Sequence, residues 1–106
     1  MTRGTVLDWL ASRTPVPPAA LAWRLQQVLR AYPDEGFTGQ ATVAAVMGAL
    51  GLATLGSLAG RDPRSTDVAL DLLAADALVT FAFEAAAEEG VEVETLARNL
   101  IARAAA

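Results

Sequence analysis

Histidine, cysteine and lysine do not occur in this 106-residue chain, and isoleucine occurs once, at Ile101. The first three supply most protein nucleophiles, proton shuttles and transition-metal ligands, so imidazole, thiol and amine catalysis and thiolate zinc sites are excluded. No cofactor or metal is expected. Without cysteine there is no disulfide and no redox handle, which fits a reducing compartment, and the expected location is cytoplasmic. Aromatic residues make up only 6% of the chain. Every basic residue is an arginine and alanine is abundant, the pattern of a GC-rich coding sequence.

Charge is also scarce and unevenly placed. The formal net charge is −4, with arginines prevailing up to Arg64 and acids after it. An acidic chain with scattered arginines cannot neutralise a phosphate backbone, so nucleic acid is set aside as a partner. The opening residues are interrupted by Asp8, Ser12 and Arg13 and do not read as a secretory signal.

From Gly36 to Gly60 no side chain is ionisable, and the latter part of that run is apolar or small on every face. It must be hidden from water. About twenty apolar residues span a bilayer, so residues 40–59 allow a single-span membrane reading. The competing reading is a central helix wrapped by its neighbours, and the rest of the sequence favours it because other segments carry apolar faces that need a common partner.

Those segments are helical. Thr5 to Arg13 is a short helix ended by the prolines at 15, 17 and 18. From Ala19, the residues Leu21, Leu25, Val28, Leu29 and Tyr32 form one buried stripe. Tyr32 to Gly39 is a turn in which Phe37 folds back on the core and Gly36 and Gly39 are available for positive backbone angles. After the apolar helix, Asp62 or Ser65 caps a helix that runs to Glu89 and stops at Gly90. Its expected stripe is Val68, Leu72, Ala75, Val79, Ala82, Phe83 and Ala86. A last helix, Glu92 to Ala105, buries Val93, Leu96, Ala97, Leu100, Ile101 and Ala104. No segment alternates at period two. The fold expected is all-α: one domain over residues 1–106, a compact bundle of four main helices plus a short N-terminal helix, with the apolar helix at its centre.

Candidate sites follow from this arrangement. Asp76, beside the buried stripe with Thr80 one turn on, is expected as a buried polar residue at a helix seam, paired with Arg24 or Arg98. Tyr32 is the other buried polar candidate. Asp67, Asp71 and Asp76 offer oxygen atoms to a hard cation, but the spacing is that of an ordinary solvated helix face. Arg61 and Arg64 at a helix start are explained by capping rather than by anion binding. Glu84, Glu88 and Glu89 read as a solvated helix end. Trp23, Leu73, Leu78 and Phe81 are surplus apolar residues expected at an interface, with a homodimer as the leading assembly and another protein as the alternative partner.

The stretch Leu72 to Glu84 resembles a helix of isoprenyl diphosphate synthases that reads roughly Leu-Leu-Ala-Gly-Asp-Ala-Leu-Leu followed by Ala-Phe-Glu. It covers thirteen residues. The aspartate-rich magnesium and diphosphate motif of that family has no counterpart in the uncharged run, so no catalytic residue is carried over and the likeness is one of helix composition. The function expected is a small non-catalytic helical protein acting through protein contact. The alternatives are a binder of a hydrophobic small molecule, held in a cavity left by alanine and glycine, and the membrane span.

Overall fold

A computed structural model describes residues 1–40 and 42–105. Ala41, inside the expected central helix, and Ala106 lie outside the described residues. The described residues form six helices: α1 (Arg3–Ala11), α2 (Ala19–Ala31), α3 (Glu35–Thr38), α4 (Val43–Gly56), α5 (Thr66–Glu89) and α6 (Val93–Ala105). Among the described residues there is no strand. The bundle of four main helices and a short first one is therefore present, with one extra helical turn, α3, where a turn was expected.

Helix ends follow side-chain chemistry. Thr2 caps α1 through the amide of Thr5, Thr42 caps α4 through Ala45, and of the two candidates before α5 it is Ser65 that stands at the N-cap, accepting the amide of Asp67, whereas Asp62 accepts that of Arg64 in the loop. Gly90 ends α5 in the left-handed region at φ 73°, and the amide of Val91 reaches back to the carbonyl of Ala86 at 2.9 Å. Arg3 closes the other end of α2. Its guanidinium donates to the carbonyls of Leu29 and Tyr32, pairs with Asp34 and lies over the ring of Phe37, which is buried as expected.

The centre of the bundle is α4. Val43, Ala44, Val46, Met47, Gly48, Ala49, Leu50, Gly51 and Thr54 are buried on all sides of it. Its main neighbour is α5, which runs antiparallel to it: Glu89 at the end of α5 meets Val43, whereas Gly51 faces Leu78 and Val79. Small residues set that distance. A Cβ added at Gly51 would stand 2.9 Å from Val79 Cγ2, and one at Gly48 would stand 2.6 Å from Leu100 Cδ2 of α6. Close packing was expected of these glycines. Gly36 is small for a similar reason, since a Cβ there would meet the Tyr32 ring at 2.3 Å; it lies in α3, and neither it nor Gly39 has a positive φ.

One alternative loses its support and one expectation fails at this level. Helix α4 has 14 residues, a rise of about 21 Å, against the roughly 30 Å of a bilayer's hydrocarbon core. Among the described residues no helix is long and apolar enough to cross a membrane. The second concerns α5. Its buried residues are Asp71, Ala74, Ala75, Leu78, Ala82, Ala85 and Ala86, so only Ala75, Ala82 and Ala86 of the expected stripe are buried. The helix is turned so that its alanines and Leu78 are buried, Gly51 of α4 lets Leu78 and Val79 approach closely, and Leu72 and Leu73 are left outside.

Helix α6 is less covered than its sequence implies. Leu96 is buried and Ala97 and Leu100 are half-buried, but Val93 and Ile101 are exposed.

Candidate functional site

The most unusual polar group is Asp71, on the inner side of α5 and only 3% exposed. Its Oδ1 accepts from Arg24 Nε of α2 and its Oδ2 accepts from Arg61 Nη1 at 2.8 Å, the latter in the loop before α5. Arg24 also donates to Gln27 at 3.2 Å. Both carboxylate oxygens are thus engaged by guanidinium groups that are themselves half-open to solvent. The bond from Arg24 holds the Asp71 carboxyl below the usual carboxylate range; burial opposes this, and Arg61 adds to the lowering. An acid kept ionised with both oxygens occupied is a poor proton donor and a poor nucleophile. What it does is brace α2 and the 57–65 loop against α5.

This brace floors an open cleft of about 280 Å³ lined by Trp23, Gln27, Asp67 and Leu70 together with the three charged residues. Trp23 stands on its rim, 59% exposed. Leu73 lies one helical turn beyond Leu70 and is 56% exposed, so an apolar edge continues from the indole along α5. Leu72 is exposed beside it, and Asp76 and Thr80 share that outward side of the helix.

A second cluster joins α1 to α5. Arg13 donates to Glu84 Oε1 at 3.0 Å and to Glu88, and its guanidinium lies 3.8 Å from the centroid of the Trp9 ring. Trp9 Nε1 donates to Glu88 Oε1 at 3.1 Å and its ring meets Phe81 edge-on. The Arg13 bond lowers the Glu88 carboxyl and the same bond raises the guanidinium, with burial opposing each shift. Glu89, the third acid of this end, accepts the amides of Val43 and Ala44.

Against this geometry the expected site residues divide. Trp23 and Leu73 are at the surface, as an interface requires. Leu78 is not: it is fully buried within the chain, because α5 turns that side toward α4. Phe81 is half-buried and engaged by Trp9, which withdraws most of it from any partner. Asp76 and Thr80 are exposed and not buried polar residues, for the same rotation of α5 that buried Asp71. Tyr32 is half-buried, edge-on to Phe37 with ring centroids 5.5 Å apart. Arg24 does pair with an aspartate of α5, but the aspartate is Asp71. Glu84, Glu88 and Glu89 are not a merely solvated end, since each accepts from a residue outside α5. Asp71, Ala75, Leu78 and Ala82 stand at i, i+4, i+7, i+11, but the stripe expected from the sequence runs through Leu72 instead and leaves Asp71 out. Among the described residues no three acids converge as a metal site would need.

Comparison of the chain with protein-family models, with curated proteins and with solved structures finds no match.

Proposed function

We propose that this chain is a non-catalytic helical module that works through protein contact, with a second copy of itself as the first partner. The observation that carries the reading is the exposure of three large apolar side chains, Leu72 and Leu73 on the outer side of α5 and the indole of Trp23, which shares a cleft with Leu70 one turn before Leu73. Contiguous large apolar side chains at a surface mark contact sites, and tryptophan is prominent among residues that anchor them. The polar chemistry agrees: among the described residues the one buried carboxylate, Asp71, is committed to two arginines, and the chain has no histidine, cysteine or lysine to act beside it.

Light scattering across a concentration series tests this. The natural chain is expected to dimerise at or below ~100 μM, a concentration that populates even contacts of modest affinity. Leu73→Glu and Trp23→Ala are expected to shift that equilibrium toward monomer while leaving the helical circular dichroism unchanged. A chain that stays monomeric at that concentration, or a dimer indifferent to both substitutions, rejects the proposed surface.

A further inference from the structure

Helix α6 is held differently from the others. The Arg24 and Arg61 bonds tie α2 and the 57–65 loop to α5, Arg13 and Trp9 tie α1 to α5, and Glu89 ties α5 to α4. Among the described residues, no side-chain hydrogen bond or ion pair joins α6 to the rest of the chain. It rests on apolar contact: Leu96 is buried, and Leu100 sits against Gly48 of α4 where any side chain would collide with it. Its connection to α5 is three residues long, Gly90 to Glu92, none of them helical past the turn at Gly90, and Gly90 takes the left-handed conformation that ends α5.

The directions of the helices give this a consequence. Helix α5 ends beside the N-terminus of α4, where Glu89 holds Val43. From there α6 doubles back along α4, passing Leu100 over Gly48 and bringing Arg103 alongside Leu55 and Gly56. It therefore runs in the same direction as α4. If Gly90, Val91 and Glu92 instead took helical angles, with Gly90 giving up its left-handed conformation, α6 would continue straight out past the N-terminal end of α4. A second copy related by a two-fold axis at that end would present its own α4 there, N-terminus first. The incoming α6 would then lie along it in the direction already seen within one chain.

We propose that α6 is exchanged between two copies of this chain, each α6 covering Gly48 and Leu52 of the partner's α4, with Gly90 as the hinge. The apolar contact is the one present within a single chain, so its fit is already established. Arg103 carries the charge that suits it, a cation at the C-terminal, partly negative end of α4. Short hinges favour exchange of this kind, because the closed turn is the conformation with the least slack. This inference rests on self-association but not on the outer side of α5.

The chain has no cysteine of its own, so a pair placed at the contact reports which chains it joins. Gly48→Cys and Leu100→Cys are introduced together, monomer and dimer are separated by size, and each is oxidised and run on a non-reducing denaturing gel. Exchange gives covalent dimers from the dimer fraction and only covalently closed monomers from the monomer fraction. A dimer fraction that closes only within chains overturns exchange and leaves self-association standing. Absence of any dimer at ~1 mM overturns both, since that concentration reveals even very weak pairing. In the otherwise natural chain, Gly90→Ala disfavours the left-handed hinge and favours a continuous helix, and is expected to lower the dimerisation midpoint about tenfold. Gly90→Asn, which tolerates the hinge conformation, is expected to remain near the natural midpoint. An unchanged midpoint for Gly90→Ala overturns the hinge and with it the exchange.

Discussion

Glu89 accepts the backbone amide of Val43 at 2.9 Å, so the last turn of the longest helix caps the first turn of the most apolar one. Its second oxygen takes the amide of Ala44 at 3.0 Å, and Thr42 takes that of Ala45. Three of the four amides that a helix start leaves without partners are satisfied in this way, two of them by a charge that suits the positive end of the α4 dipole. A carboxylate 46 residues along the chain is acting as a helix cap.

Removing that cap has a defined cost. Glu89→Ala is expected to destabilise the fold by about 1–2 kcal/mol, the usual range for losing a capping acceptor. Glu89→Gln, which keeps an acceptor but not the charge, should fall between the two. Urea midpoints at constant m-value measure this, and equal midpoints for all three chains would show that water replaces Glu89 without loss.

For Asp71 the expectation includes a direction with pH. Asp71→Asn leaves two arginines facing a neutral amide and is expected to cost about 1–3 kcal/mol near neutrality. Because the folded carboxyl lies below its ordinary value of 3.8, the unfolded chain takes up the proton first as pH falls. The contribution is therefore fully present above that value and is lost as pH drops through the lower, folded one. The stability gap between natural and variant chains should be level from about pH 8 to about pH 5 and close only below 3.8. A gap that already narrows at pH 6 would contradict an ion-paired Asp71.

Two glycines of α4 should respond with opposite signs. At Gly51 a methyl group meets Val79 Cγ2 and the Leu78 Cβ and Val79 backbone, so α4 and α5 must part, and Gly51→Ala is expected to cost about 1–3 kcal/mol. At Gly56 nothing lies within 4 Å, and alanine gains helix propensity, so Gly56→Ala should stabilise by up to about 1 kcal/mol. Thermal midpoints of the two variants moving in the same direction would disprove the close packing at Gly51.

Leucines of one helix separate the same way. Leu78→Ala should cost about 2–4 kcal/mol, as a fully buried leucine does. Leu73→Ala should change monomer stability by no more than about 0.5 kcal/mol. Chemical denaturation at a concentration low enough to keep the chain monomeric makes the comparison, and equal costs would place both residues in the core.

Much of the fold is visible in the residues themselves. Prolines 15, 17, 18 and 33, Ser65 and Gly90 mark most helix ends, and a run without charge can belong only to a helix enclosed on most sides. The α3 turn is not visible, because four residues carry no periodicity. The rotation of α5 is not visible either. Leucine and alanine both count as apolar, and only the flat surface of α4 decides that the alanines go inward. Once that is decided, Asp71 follows them in and Asp76 stays out. Its partners Arg24 and Arg61 lie 47 and 10 residues away, distances that no local pattern reports. Trp23 and Leu73 were legible as surplus because each leans away from the apolar stripe of its own helix.

The enclosure of α4 also dictates an order of events during synthesis. The ribosome completes this helix at Gly56, but α5 ends only at Glu89 and α6 at Ala105. At translation speeds of roughly 5–20 residues per second, the nascent chain holds its least soluble element without its covering partners for some seconds. A transcript truncated before codon 66 would release that element permanently bare, and its product should precipitate or be captured by chaperones.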